Sequence, residues 1–372
     1  MNVVHIGKYY WPYSRGIETY LRLLCEHTNN RVNLDVLVSN TSCHTVSESF
    51  NNVRVTRLAR IAELASTSFC LSLPTALRKL KPDIVHVHLP NPWAELCYFL
   101  AGCPGKLVVS FHSDIIRQRL LLQAHKPLHR AFLRRAAAVI AATPNHISCS
   151  PFLSRLDPSR LHVIPYGIDV DAFKATDSIN ARAAELRAQY RSPLILYVGH
   201  LVYYKGLNIL LKALRSTDAF LVIAGTGPLL NSLQAQTASL GLADRVSFPG
   251  SVDQDTLVAL LHACDVFCLP STFRSEAFGI VQLEAFAAGK PVVSTNLPSG
   301  VPWVNEHMTS GMVVPPGDPP ALAEALNRLL ADDELRLRLG RQAYDRVRSR
   351  FTASRMADDT LAVYNTVMKT NN

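Results

Sequence analysis

The sequence predicts an α/β protein of two doubly wound domains, each a parallel sheet with helices on both faces, facing each other across a cleft. Three observations lead there. The chain has 372 residues, more than one core usually serves. Short apolar strands alternate with helical patterns from end to end, the signature of parallel sheets covered by helices. The alternation also pauses after Pro165-Tyr-Gly-Ile-Asp-Val-Asp171, crosses a polar stretch at 176–180, and starts afresh. That pause sets a boundary between domains 1–176 and 177–352.

In the first domain, a strand at 3–6 precedes a helix over 16–27, and strands follow at 34–38 and 53–58. A helix to Leu80 leads into Asp83-Ile-Val-His-Val-His88, then a helix over 93–100 and a fifth strand at 106–111. A basic helical region precedes strands at 138–142 and 161–164. The second domain opens with a strand at 194–198, a loop to Gly206 and a helix to Leu214. Strands at 220–224, 246–248, 266–269 and 291–295 alternate with helices through Leu240, over 257–264 and from near Gly279. Helices over 320–330, 334–350 and 353–368 end the chain. Every glycine-rich or polar loop falls at the carboxyl end of a strand, where open α/β sheets hold their ligands.

Residues 1–175 carry 20 Lys+Arg against 11 Asp+Glu, and the remainder 18 against 18, so the whole excess positive charge lies in the first half. It is densest from Arg117 and Arg119 through Lys126, His129, Arg130, Arg134 and Arg135, with Leu120, Leu121, Leu122, Leu128 and Phe132 between the charges. Such a segment is a solvated face, a phosphate contact or a membrane-surface contact, and its confinement to one half favours the last two. No apolar run reaches the length of a membrane span, and Met1-Asn-Val-Val-His-Ile-Gly7 reads as a strand and loop rather than a signal peptide. The eight scattered cysteines read as buried reduced thiols, which with the absent leader predicts a cytoplasmic location.

The stretch from Pro270 to Pro291 holds the densest chemistry. A strand feeds a polar loop, and the loop feeds a helix starting near Gly279, so the amides of Phe278, Gly279 and Ile280 form an anion site at a helix N-terminus. Glu276 in the loop and Glu284, one and a half turns into the helix, place a carboxylate on either side to accept from hydroxyls. Hydroxyl, phosphate, hydroxyl is the outline of a sugar nucleotide. Gly16 opens the first helix after Tyr9-Tyr-Trp-Pro-Tyr-Ser-Arg15 and offers a second set of bare amides. Lys205, before the helix-opening Gly206, is placed to neutralise a diphosphate, with His200 assisting when protonated. His112 ends the fifth strand and is read as a contact to the transferred group. The bland alternatives are an ordinary βα turn at Gly16, a surface lysine at 205 and a structural histidine at 112.

Two rival chemistries are weaker. His86, His88, His112 and Asp114 all lie at strand ends, a pattern that would suit a zinc or di-metal hydrolase. That reading leaves the phosphate loops unexplained. Gly225-Thr-Gly227 lacks the third glycine of a dinucleotide fingerprint, which argues against a dehydrogenase.

Taken together, these residues resemble the retaining glycosyltransferases of family four, whose architecture is GT-B. The resemblance covers essentially the whole chain. It rests on Glu276-x7-Glu284 around Gly279, followed by Ala288-Gly-Lys-Pro-Val-Val. Gly16-Ile-Glu18, Phe111-His112, Pro165-Tyr-Gly-Ile-Asp169, Lys205-Gly206, Gly225-Thr-Gly-Pro228 and Val313-Val-Pro-Pro-Gly-Asp318 support it in order. It implies that Glu276 holds hydroxyls of the donor sugar, Glu284 the ribose, and Lys205 with the amides of Gly16 and 278–280 the diphosphate. It implies that His112 touches the donor sugar, that the base stacks near 248–252, that no metal or other cofactor is needed, and that the last helix crosses back onto the first domain. The chain departs from the family at Arg15-Gly16, where Gly-Gly is usual, and at His200, where arginine is usual.

The expected reaction moves a hexose from a nucleoside diphosphate sugar to a growing glycan carried on a polyprenyl diphosphate, at an anionic membrane surface. The segment from Thr295 to Asn305 resembles mannosyl- and rhamnosyltransferases of surface polysaccharide assembly, making GDP-mannose the first expected donor and a UDP-hexose the second. No nucleic-acid partner is expected. A sugar-nucleotide epimerase of the same architecture and a non-catalytic nucleotide-sugar sensor are the alternatives.

Overall fold

A computed structural model describes residues 1–13, 16–64, 67–114 and 119–370. Arg15 and Arg117, singled out above, lie outside them. The chain divides into two compact units: unit 1 is Met1–Gly167 with the segment from Ala353, and unit 2 is Ile168–Thr352. The division falls earlier than the expected boundary at 176, and the polar stretch there is no linker. Thr176 caps a helix by accepting from the Ile179 amide, and Ile179, Ala183, Leu186 and Tyr190 form its buried stripe.

Unit 1 runs β1 (Asn2–Ile6), α1 (Gly16–Thr28), β2 (Asn33–Ser39), β3 (Val46–Phe50), β4 (Val53–Leu58), β5 (Ala62–Leu64), β6 (Thr67–Phe69), α2 (Leu73–Leu80), β7 (Ile84–Leu89), α3 (Pro92–Leu100), β8 (Lys106–Phe111), α4 (Arg119–Arg135), β9 (Ala138–Ala141), α5 (Pro144–Cys149) and β10 (Leu161–Val163). Unit 2 runs α6 (Asp177–Tyr190), β11 (Leu194–Val198), α7 (Leu207–Leu214), β12 (Phe220–Ala224), α8 (Leu230–Ser239), β13 (Val246–Gly250), α9 (Gln254–Ala263), β14 (Val266–Leu269), α10 (Val281–Ala287), β15 (Val292–Thr295), α11 (Val301–Val304), β16 (Gly311–Val314), α12 (Pro319–Ala331) and α13 (Asp333–Arg350). The last helix, α14 (Ala353–Lys369), packs on unit 1.

The first sheet has the order β10-β9-β8-β7-β1-β2-β4-β3, the second β13-β12-β11-β14-β15-β16. Every described pairing in them is parallel except β3 with β4, where a polar, exposed edge strand runs back along its neighbour. Central strands such as β7, β8 and β14 are buried on both faces; β14 reads accordingly as an unbroken apolar run, whereas β7 and β8 bury His86, His88 and Ser110 among their apolar residues. The strand order reverses between β1 and β7 in unit 1 and between β11 and β14 in unit 2, and such a switch point opens a crevice at the carboxyl ends.

Helix α14 is held in unit 1 by a helical stripe: Met356, Ala357, Thr360, Leu361, Tyr364 and Val367 are all buried. Lys106 Nζ donates to the carbonyls of Val367 and Thr370 at 2.9 and 2.6 Å, satisfying its C-terminal end, and Arg31 pairs with Asp358. The cysteines are all free, but Cys43 and Cys149 are exposed, which corrects the reading of all eight as buried. The basic helix α4 turns Phe132 and Leu133 into the core and leaves Arg130, Arg134 and Arg135 in solvent.

Candidate active site

At the switch point of unit 2, the loops after β11 and β14 bring a lysine and a glutamate together. Lys205 closes a single 3-10 turn, and Gly206 follows it with φ +67. A Cβ at 206 would collide with the Pro270 carbonyl, so only glycine lets the β11 loop lie against the β14 loop. Lys205 Nζ reaches Glu276 Oε2 at 2.5 Å, with the two residues only 8% and 7% exposed. Ser271 Oγ donates to the same carboxylate at 3.1 Å, and Thr295 Oγ1 donates to the Ser271 carbonyl at 2.5 Å. The expected diphosphate ligand and the expected sugar ligand are therefore partners of each other. His200 is exposed, and its carbonyl accepts from the Tyr197 hydroxyl at 3.3 Å.

The helix beyond this loop is shorter than expected. It spans seven residues from Val281, with Ile280 as its cap and Gly279 at φ +73, where Gln282 Nε2 and a Leu269 methyl crowd the place a Cβ would take. Glu284 therefore lies in the first turn rather than one and a half turns in. Its half-buried carboxyl has no charged partner among the described residues, and burial pushes it up to about 7. Phe278 is buried edge-on against Phe351, so its side chain is structural, while the 277 carbonyl accepts from the Gly300 amide at 2.7 Å and pins the loop. Residues 248–252 end β13 and follow it, and the Gly250 carbonyl accepts from the Gly225 amide at 2.7 Å.

Unit 1 carries a different chemistry. Gly16 is exposed at the first turn of α1. His112 is buried, 3% exposed, and both its ring nitrogens are engaged: Nδ1 with the Tyr166 hydroxyl at 2.6 Å and Nε2 with His88 Nδ1 at 3.2 Å. His86, His88, His112 and Asp114 do not converge on one point. His88 lies between His5 and His112, His86 bonds Tyr364 and Ser110, and Asp114 accepts from Ser150 Oγ at 2.9 Å. Burial lowers His5 and His112 to about 3 and holds His86 and His88 well below the ordinary range, so all four rings are neutral at physiological pH.

Sequence reasoning misses His5, Tyr364 and Tyr166, whose partners come from distant segments. It also misses His146, whose Nε2 is buried without a hydrogen-bond partner among the described residues and whose ring is lowered by burial to about 4. Glu95, fully buried on α3, lies 3.0 Å from both His125 and His129 of α4. The His-x3-His spacing on a helical region is the one available signal.

Residues 14–172 match the family described as Glycosyltransferase Family 4, and residues 179–346 match Glycosyl transferases group 1. The chain is 39% identical over 357 residues to D-rhamnosyltransferase WbpZ of Pseudomonas aeruginosa, covering 95% of this chain and 93% of that one. It is 31% identical to O-antigen chain mannosyltransferase C of Escherichia coli, with 99% of each covered. Among solved structures, sucrose-phosphate synthase from Thermosynechococcus elongatus superposes with a TM-score of 0.82 at 22% identity over 98% of both chains, a likeness of fold. Two parallel-sheet units, a charged pair at a sheet switch point and similarity along nearly the full length agree: the chain belongs to the family-four glycosyltransferases and has the GT-B fold.

Proposed function

We propose that the chain transfers a hexose, mannose or D-rhamnose, from a nucleoside diphosphate sugar to a growing lipid-linked surface glycan. Transfer retains the anomeric configuration and needs no metal. A GDP-sugar is the first choice of donor and a UDP-hexose the second. The observation that carries this reading is the buried Lys205–Glu276 pair at the switch point of unit 2. A departing nucleoside diphosphate gains negative charge, and a preformed ammonium beside backbone amides stabilises that charge without reorganisation. The donor's diphosphate draws Lys205 away from Glu276, and the released carboxylate accepts hydrogen bonds from the donor sugar. Glu284 accepts from the ribose hydroxyls, the amides of 278–280 and of Gly16 add donors, and His112 contacts the donor sugar. The base rests near 248–252, and His200 contributes charge to the diphosphate only when protonated.

Unit 1 receives the acceptor. Its exposed Arg130, Arg134 and Arg135 meet anionic headgroups by charge alone, since the apolar side of that helix faces the core. Similarity to rhamnosyl- and mannosyltransferases along nearly the full chain favours transfer over epimerisation or nucleotide-sugar sensing.

The test is a donor panel of GDP-mannose, GDP-rhamnose and UDP-hexoses with a polyprenyl-diphosphate-linked glycan. One GDP-sugar should be consumed only with acceptor, give product of unchanged anomeric configuration, and react at the same rate in EDTA. Product without acceptor identifies an epimerase, and binding without turnover a sensor. Flotation with anionic but not neutral liposomes, lost in high salt, is the result expected of the arginine face.

A further inference from the structure

A second cluster of titratable side chains in unit 1 stands between α3 and α4, which pack against each other. Glu95 lies in the first turn of α3, and its side chain is 0% exposed. His125 and His129 stand four residues apart in α4, so they share one face of that helix. His129 Nδ1 lies 3.0 Å from Glu95 Oε1 and 3.1 Å from Oε2, and His125 Nε2 lies 3.0 Å from Oε2. A carboxylate oxygen and two ring nitrogens thus lie within 4.8 Å of one another.

A carboxylate taken fully out of water needs a positive partner. Burial raises the Glu95 carboxyl, but its two histidine partners more than offset this and hold it below the usual carboxylate range. The two rings do not meet it alike. His129 Nδ1 is hydrogen-bonded to the carboxylate. His125 Nε2, at 3.0 Å from Oε2, is buried with no hydrogen-bond partner among the described residues. The distance suffices for a bond, so alignment is what fails, and nitrogen and oxygen are neighbours that do not point at each other. Two ligands of one ion stand in that relation.

The spacing and the donor set agree. In a tetrahedral zinc site with bonds of about 2.0–2.2 Å, ligand atoms stand about 3.3 Å apart. Both histidine nitrogens are close to that distance from Glu95. Two imidazoles and a carboxylate are the ligands of one class of three-residue zinc site, whose fourth position takes water. The His129 ring is held for this by Phe152, which meets it edge-on with centroids 4.6 Å apart. Pro127, between the two histidines, has no amide proton for the turn before it, so α4 lacks a backbone bond at the level of the cluster.

We propose that Glu95, His125 and His129 form a structural site for one divalent transition-metal ion, zinc by its donor set, that clips α4 to α3. The ion supplies the positive charge that Glu95 needs, and it ties down the helix where Pro127 weakens it. None of its three ligands is among the residues assigned to the donor. The ion therefore carries no step of transfer, and the proposal is independent of the reading of the site in unit 2.

The test uses the full chain, free of any affinity tag and stripped with a chelator, and zinc alone as the probe. With a small excess of zinc returned and then washed away, metal analysis should find one ion per chain. The thermal midpoint should rise by about 5 °C. Cobalt in place of zinc should show the visible absorption of a four-coordinate ion. His125→Ala, at a partly exposed position where alanine suits a helix, should fold and bind zinc about 100-fold more weakly. Glu95→Gln, which keeps the volume, should lose uptake, and the rise in midpoint should vanish in both variants. Should Glu95→Gln fail to fold, His125→Ala carries the test alone. No uptake by the stripped wild type would overturn the proposal, leaving a charge-compensated hydrogen-bonded cluster. Uptake unchanged in His125→Ala would overturn it equally, since zinc held elsewhere, at the exposed Cys43 for example, survives that substitution.

Discussion

At the switch point of its sheet, unit 1 buries four histidines as neutral rings linked donor to acceptor; at the matching point, unit 2 buries a lysine 2.5 Å from a glutamate. A neutral hydrogen bond contributes about 1 kcal/mol net, and it has no charge to exchange with a ligand. A buried ion pair carries a desolvation cost that its own attraction barely offsets, so a ligand bringing its own charges and hydroxyls can replace it. On the proposed reading, unit 2 is the part that a donor would rearrange, and unit 1 the part that stays as it is.

The largest expected effect tests the exchangeable pair. Lys205→Met and Glu276→Gln should each lower kcat/KM about 10²- to 10³-fold, and the double variant should be little worse than the poorer single one. Strictly additive losses in that cycle would show that the two side chains act independently and would break the comparison.

Next comes acid sensitivity, which should separate the units. The folded pKa values of His5, His86, His88 and His112 lie below the ordinary 6.5, so below that pH the unfolded chain binds more protons than the folded one. The stability they allow is present above pH 6.5 and lost as pH falls, by about 4 kcal/mol in total between pH 6.5 and 5.5. Hydrogen exchange at pH 5.5 should show the strands around β1 and β7 opening before those of unit 2. Simultaneous opening would remove the distinction.

Glu284 works in the opposite sense. Its carboxyl stands near 7 when folded and near 4.5 when unfolded, so the folded state holds the extra proton between those values. Stability of the unliganded protein should fall as pH rises from 4.5 to 7, by about 2 kcal/mol allowing for its half-buried position. Glu284→Gln should flatten that slope in urea melts, and nucleotide binding to the wild type should strengthen as pH rises through 7. The smallest effect concerns the attachment of α14: Lys106→Met should cost about 1 kcal/mol in a thermal melt, since it frees two carbonyls that water can partly satisfy.

Much of the architecture is legible in the chain alone. Val266–Leu269 is buried on both faces and so reads as an apolar run, while glycines such as Gly206 mark loops at strand ends. The stripe of α6 stands at 179, 183, 186 and 190, yet its first residues, Thr176-Asp-Ser, look like a linker; they are its cap. Strand β3 is illegible for a physical reason: Val-Ser-Glu-Ser-Phe has no buried face, and only pairing with β4 makes it a strand. The candidate site is legible as a set of residue types and not as a set of partners.

Which segments alternate and which loops lie at strand ends follow from neighbours a few residues apart, and so can be read along the chain. That Lys205 faces Glu276, and that His112 is tied through His88 and His5 to a tyrosine of the last helix, emerges from the folded unit alone. Those pairings depend on strand register and on the return of α14 to unit 1. Local propensity does not encode which side chain a distant one will meet; packing of the whole unit does.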